Sequence, residues 1–204
     1  PRKKNTMNEI SEPGCDVLVL SPHPDDAEIG LGGALKLFSQ KGRRCWVVDL
    51  TAGELGSNAT PAIRWREACD AAAVLGLYGR AKLSLPDGFI NRVDSSQVAQ
   101  IAHVIRCLRP RWILTAPDAV RHPDHQETPH LVAKAVFMAG LINFEALKGD
   151  CEFWDMGGVF PEPAARWKTQ AVGRVCGENE EPSLYFDVSS TWENKTQALA
   201  CYSS

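Results

Sequence analysis

The sequence carries little net charge, a formal -3 from 22 basic and 25 acidic residues among 204. So small and mixed a balance excludes the strongly one-signed surface that nucleic acid or an anionic membrane would select. Nowhere is there a run near the roughly 20 apolar residues that a membrane-spanning helix requires. Arg2-Lys3-Lys4 is basic, but no apolar h-region follows it. Residues 1–14 are therefore expected to be a flexible, solvated leader rather than a signal peptide. No C-x-x-C pair occurs. The cysteines, Cys15, Cys45, Cys69, Cys107, Cys151, Cys176 and Cys201, are scattered and odd in number, and the first four lie in apolar contexts. A disulfide framework belongs to smaller, loop-rich chains, so buried reduced thiols in a cytoplasmic protein are the better reading. Repeats and low-complexity tracts are also lacking, and nothing calls for a second domain.

What is present is an alternation. With 44% hydrophobic residues, a chain of this length suits one domain with a real core. Strands are expected at 15–20, 45–50, 81–85 and 112–116. Helices are expected at about 27–40, from Thr60 as N-cap and Pro61 through Gly76, from Asp94 to Pro110, and at about 127–141. Strand and helix alternating over 15–141 imply a Rossmann-like, three-layer α/β/α fold with a mostly parallel sheet. Residues 142–204 read as an irregular C-terminal part. It holds an excursion at about 153–168 that includes Gly157-Gly158, edge strands near 171–175 and 184–188, and a last helix at 192–202 capped by Ser190.

Two clusters sit where such a sheet places ligands, at carboxyl ends of strands. The first is His23-Pro24-Asp25-Asp26, after the apolar run Val17-Leu18-Val19-Leu20; the second is His122-Pro123-Asp124-His125, after the fourth strand. His23, Asp26 and His125 would form a two-histidine, one-carboxylate site suited to zinc, with a position left open for water. Iron(II) competes for such ligands. Asp25, diverging from Asp26 at the turn, is then the candidate general base, and His122 the candidate acid or oxyanion partner.

Arg64, one turn into its helix, reads equally as a substrate clamp or as a surface residue. Asp124 reads as a carboxylate that orients a histidine more readily than as a ligand. Each cluster also has a plainer reading, since Asp at a helix start is a common N-cap and His-Pro turns occur without metal. It is their pairing at two strand ends that argues for a metal. His103 and His130 read as packing or solvent residues, and Gly30-x-Gly32-Gly33 as close packing of helix on strand rather than a dinucleotide fingerprint.

Ser21-Pro22-His23-Pro24-Asp25-Asp26-Ala27-Glu28, with His122-Pro123-Asp124-His125 about a hundred residues on, resembles the LmbE/PIG-L family of zinc-dependent N-acetylglucosamine deacetylases. The resemblance extends through Asp49-Leu50-Thr51, Gly53-Glu54-Leu55, Ile63-Arg64, Leu85-Pro86-Asp87-Gly88 and Arg121. It is greatest to the bacillithiol-biosynthesis (BshB-type) branch, which acts on N-acetylglucosaminyl-malate. It implies His23, Asp26 and His125 as ligands of the metal, Asp25 as general base, His122 facing the oxyanion and Arg64 touching substrate. It further implies a homo-oligomer, trimer or hexamer. Rival expectations are a deacetylase of another N-acetylglucosamine derivative, such as a chitin fragment or an antibiotic or thiol-sugar precursor, and a non-catalytic sugar- or nucleotide-binding module.

Overall fold

Val17 to Leu20 is apolar in both pleat directions, and the computed structural model gives each direction its own core. The structure describes residues 12–117, 121–154, 161–177 and 180–203. Most of the basic leader, Asp118 and Gly157-Gly158 lie outside the described residues. Strand β1 (Cys15–Ser21) runs between β2 (Cys45–Asp49) and β4 (Pro110–Thr115), parallel to both. Val17 and Val19 pack with Leu35, Ala71, Ala72 and Leu75 from helices α1 (Asp26–Gln40) and α2 (Pro61–Leu75). Leu18 and Leu20 face the other way, into a core with Ile101, Ile105, Leu131 and Val132 from α3 (Ser95–Leu108) and α4 (Pro123–Ala139). Two-sided burial of this kind is what makes a parallel strand read as a continuous apolar run.

The sheet continues through β3 (Gly79–Leu83), β5 (Cys151–Trp154) and β6 (Ala171–Arg174), in the order β5-β3-β2-β1-β4-β6. Among the described residues only β5 is antiparallel. The three-layer, mostly parallel architecture is the one expected. Because β2 and β4 flank β1 while the chain leaves β1 and β4 toward opposite faces, the carboxyl ends of β1 and β4 form a topological switch point with a crevice.

Several expected boundaries move. Helix α4 starts at Pro123, four residues before the expected start, because His122 caps it: its Nδ1 accepts the Asp124 N–H at 3.3 Å. Residues 79–83, rather than 81–85, form β3, since Trp46 to Asp49 pair with Gly79 to Lys82. Phe153 and Trp154 belong to the edge strand β5, not to an irregular excursion. The stretch 184–188 is no strand. Phe186 stacks edge-on against Phe38 at 5.1 Å and Val188 lies against Gly33, so its apolar residues serve helix packing rather than a ladder.

Helix α5 (Trp192–Leu199) follows a 3-10 turn, Ser189–Thr191, and is not capped by Ser190; Thr191 instead donates its hydroxyl to the Gly33 carbonyl at 2.8 Å. The glycines of α1 therefore pack against the C-terminal segment, not against a strand. A Cβ on Gly33 would stand 2.8 Å from the Val188 Cβ, and one on Gly30 3.1 Å from a Val175 methyl.

Candidate metal centre

The turn after β1 is held by the residues that would act in it. The Ser21 hydroxyl donates to the His23 carbonyl, and the His23 N–H donates to Asp26 Oδ2 at 3.1 Å. Asp25 occupies the N-cap position of α1, yet its carboxylate makes no capping hydrogen bond, and its backbone is left-handed at φ 102°. A non-glycine residue incurs a conformational cost there, so the turn stores strain at this residue. The N-cap alternative for Asp25 is thereby removed, and the carboxylate lies 3.7 Å from the Arg64 guanidinium.

Asp26 Oδ2 stands 3.2 Å from His23 Nδ1 and 3.1 Å from His125 Nε2. The three ligand atoms lie within 4.8 Å of one another, with the two imidazole centroids 5.4 Å apart. Donors 2.0–2.1 Å from a tetrahedral zinc are separated by about 3.3 Å, close to the two separations that Asp26 makes. Nitrogen, nitrogen and carboxylate oxygen also suit such an ion chemically. The donor set fits zinc, and it fits iron(II).

His125 reaches this point because α4 begins early, which puts it on the first helical turn beside the end of β4. Asp124, on the same turn, is fully buried. Its carboxylate meets His23 Nε2 at 3.1 Å and accepts the N–H groups of Gly88 at 2.7 Å and Ile90 at 3.1 Å. A proton on Nε2, donated to Asp124, leaves the His23 Nδ1 lone pair facing Asp26 and His125, which is how an outer carboxylate fixes a ligand tautomer. His122 is exposed at the mouth, its ring edge-on to His23 with centroids 4.6 Å apart.

Arg64 is not a surface residue. Its side chain is 17% exposed and rests on the Gly53 turn, where φ is 64° and a Cβ would come within 2.7 Å of Nη1. His103 is half-buried on α3 and His130 is exposed, outside the cluster of candidate ligands.

Sequence reasoning missed Asp87 and Glu54. Asp87 Oδ1 stands 3.1 Å from His23 Nε2, and its other oxygen accepts the Leu55 N–H at 2.9 Å. Glu54 accepts the Asp87 N–H at 2.8 Å, tying the loop after β2 to the loop after β3. His23, Asp87 and His122 form a second group with ligand atoms in reach of one another. Two signals were available: the resemblance runs through Gly53-Glu54-Leu55 and Leu85-Pro86-Asp87-Gly88, and Pro86-Asp87-Gly88 also follows a strand on this rim.

A further buried cluster braces the turn from below. Arg80 of β3, fully buried, grips Asp49 at the end of β2 through Nε at 2.8 Å and Nη2 at 3.0 Å. Its Nη1 donates to Glu28, in the first turn of α1, and to the Ala68 carbonyl. Removing one member of such a cluster leaves buried charge uncompensated.

The electrostatics divide the two adjacent aspartates. Burial pushes the Asp25 carboxyl up to about 6, the Asp26 charge adds to this, and Arg64 opposes it. Burial also works against Asp26, yet hydrogen bonds from His125 and His23 outweigh it and hold that carboxyl down at about 2. Burial disfavours the His23 imidazolium, but hydrogen bonds to Asp124 and Asp26 lift it to about 10. For Asp124, the His23 hydrogen bond and the Gly88 and Ile90 N–H groups overcome burial and lower the carboxyl.

Comparisons with known proteins identify relatives of this chain. The family described as PIG-L, GlcNAc-PI de-N-acetylase, matches residues 18–136. Diacetylchitobiose deacetylase of Thermococcus kodakarensis is 30% identical over 210 residues, covering 96% of this chain and 73% of that protein. "Probable N-acetyl-alpha-D-glucosaminyl L-malate deacetylase 2" of Bacillus cereus is 31% identical over 132 residues, 59% of this chain and 60% of that one. The 4-oxalmesaconate hydratase of Pseudomonas putida is 26% identical over 96% of this chain and 76% of its own. In the crystal structure of the conserved protein TT1542 from Thermus thermophilus, 92% of this chain superposes on 78% of that one with a TM-score of 0.78 and 32% identity. The chain belongs to the PIG-L de-N-acetylase family.

Proposed function

We propose that this protein is a divalent-metal-dependent hydrolase that removes the N-acetyl group from an N-acetylglucosaminyl conjugate. One observation carries the reading: His23 Nδ1, Asp26 Oδ2 and His125 Nε2 converge on one point beside Asp25, an uncapped carboxylate held in a strained turn. His23, Asp26 and His125 would hold the ion, zinc or iron(II). When bound, the ion supplies Lewis acidity and an acidified water.

Asp25 takes the proton of the attacking water, a role worth roughly 10²–10⁴-fold. His122, at the mouth, faces the oxyanion that develops on the acetyl carbonyl as it becomes tetrahedral. Collapse breaks the C–N bond, and the amine leaves with a proton from Asp25 or His122; the pH profiles of Asp25→Asn and His122→Gln separate the two donors. Arg64, clamped beside Asp25, anchors a sugar hydroxyl. Asp124 acts through His23 by fixing its tautomer.

The aglycone distinguishes branches. N-acetylglucosaminyl-malate is supported by the motif resemblance and by the Bacillus relative, and diacetylchitobiose by the Thermococcus relative, whose alignment runs through the C-terminal part as well. Acetate release from a panel holding both, with N-acetylglucosaminyl-inositol as a third member, decides between them. A second reading has a specific source in the Pseudomonas hydratase: addition of water to the carbon–carbon double bond of an unsaturated oxo-acid. Consumption of 4-oxalmesaconate without acetate release from any sugar would establish that reading and overturn ours.

We place the protein in the cytoplasm, supported by seven free cysteines, and expect a homo-oligomer, trimer or hexamer. No helix among the described residues is long and apolar enough to cross a membrane.

A further inference from the structure

The loop after β3 uses its backbone donors in an unusual way. From Asp87 to Val93 every N–H is taken: by Glu54, Asp124, the Pro86 carbonyl, Asp124 again, Gln97, Glu127 and Asn91, in that order and all within 3.1 Å. The Phe89 carbonyl is occupied too, by Gln97 Nε2 at 3.1 Å. Glu54, Gln97, Asp124 and Glu127 come from the β2 loop, α3 and α4, so this loop is held from several sides. Its one aromatic side chain is nevertheless turned out to solvent: Phe89 is 68% exposed, and Val93 at the end of the loop is 72% exposed. Leu55, 67% exposed, lies over the neighbouring Gly88, its methyl 3.1 Å from where a Cβ would stand.

The pair belongs to the rim of the candidate site. Gly88, next to Phe89 in the chain, donates to the Asp124 oxygen that meets His23 Nε2, and the Leu55 N–H donates to Asp87, which meets the same nitrogen. Singly exposed apolar residues are ordinary. Phe89 stands between Gly88 and Ile90, whose N–H groups are both held by the Asp124 carboxylate that meets His23, so its phenyl ring sits on an immobilised backbone, and a ligand that lands on it has little loop entropy to overcome.

We propose that Phe89, flanked by Leu55, is a specificity-determining platform on which the apolar face of the substrate's pyranose ring stacks, holding the acetamide over His23, Asp26 and His125. This rests on the deacetylase reading above. The ring's C–H face meets the aromatic face while its hydroxyls stay free for polar partners, so the contact fixes the sugar's orientation and selects for a pyranose over an open-chain amide. Aromatic contacts of this kind contribute enough for about a tenfold change in binding.

The test is steady-state acetate release from N,N'-diacetylchitobiose and from N-acetylglucosaminyl-malate, with metal content and solution mass measured on each variant. Phe89→Ala should raise KM about tenfold with kcat within twofold and metal content unchanged. Phe89→Tyr should behave as the native protein, and Phe89→Leu should remain impaired. Tyr185→Ala, which removes another exposed aromatic away from the rim, should change nothing. A native KM in Phe89→Ala, or in Phe89→Leu, overturns the platform. So does a variant whose KM changes only because the oligomer falls apart, which would make Phe89 an interface residue. If the native protein releases no acetate, the deacetylase reading has failed by itself. N-acetylglucosamine binding followed by saturation-transfer NMR then judges the platform: loss in Phe89→Ala sustains it and equal signals overturn it.

Discussion

His23 Nε2 and a carboxylate oxygen of Asp124 meet at 3.1 Å across 101 positions of sequence, and the two turns of the candidate centre are joined through that contact. Asp124 is fully buried and serves three donors at once. Replacing it with Ala strands the Gly88 and Ile90 N–H groups and frees the His23 ring to rotate. Chelator competition should show the ion held about 10–100-fold more weakly in Asp124→Ala. Unchanged metal affinity would mean that Asp124 does not orient the ligand.

Asp25 joins two properties that can be separated by choice of variant. With φ at 102° and no capping bond, its side chain contributes nothing visible to the helix. Asp25→Gly relieves the backbone strain and should raise stability by roughly 1 kcal/mol in urea unfolding. The same variant, and Asp25→Ala, should keep the metal while acetate release falls by at least about 100-fold. A metal-loaded Asp25→Ala protein with native turnover would remove Asp25 from the chemistry.

Stripping the metal should make stability depend on pH in a specific direction. The His23 imidazolium, lifted to about 10 by Asp124 and Asp26 against the opposing effect of burial, is favoured by folding. A raised cationic pKa stabilises fully below the unfolded value of about 6.5 and is lost as pH rises toward the folded one. Metal-free protein should therefore lose stability steadily from about pH 6.5 toward 10. Metal-loaded protein should not show that loss over the same range, because the ion replaces the Nδ1 proton. Thermal melts of both forms across this range check the point, and a flat profile for the metal-free form would show that His23 is not protonated within that cluster.

How far the sequence foretold this site follows from the range of the forces involved. His-Pro-Asp-Asp and His-Pro-Asp-His are local, each in the connection that follows a strand, and a parallel sheet brings such connections to one rim without further information. Asp87 and Glu54 fall in stretches the resemblance covers, but their roles were not legible because these arise from two loops bonding to each other. Arg80 sits in Gly-Arg-Ala-Lys-Leu, which reads as an ordinary half-polar strand until Asp49 and Glu28 are seen to close around it. The early start of α4 was hidden by its cap, since an imidazole nitrogen takes the place of the usual Ser, Thr, Asp or Asn. The 184–188 stretch has strand-like composition, but Phe186 packs on Phe38 and Val188 on Gly33, so its apolar residues are taken up by helix α1.

The most direct measurement is the zinc-edge X-ray absorption spectrum of zinc-loaded native protein beside that of His125→Ala. Two imidazole nitrogens and a carboxylate oxygen at about 2.0–2.2 Å are expected in the native protein, and His125→Ala should lose one imidazole together with most of its zinc. Full zinc occupancy with an unchanged imidazole count in His125→Ala, or sulfur neighbours from the cysteines in the native protein, would place the ion elsewhere and contradict the account.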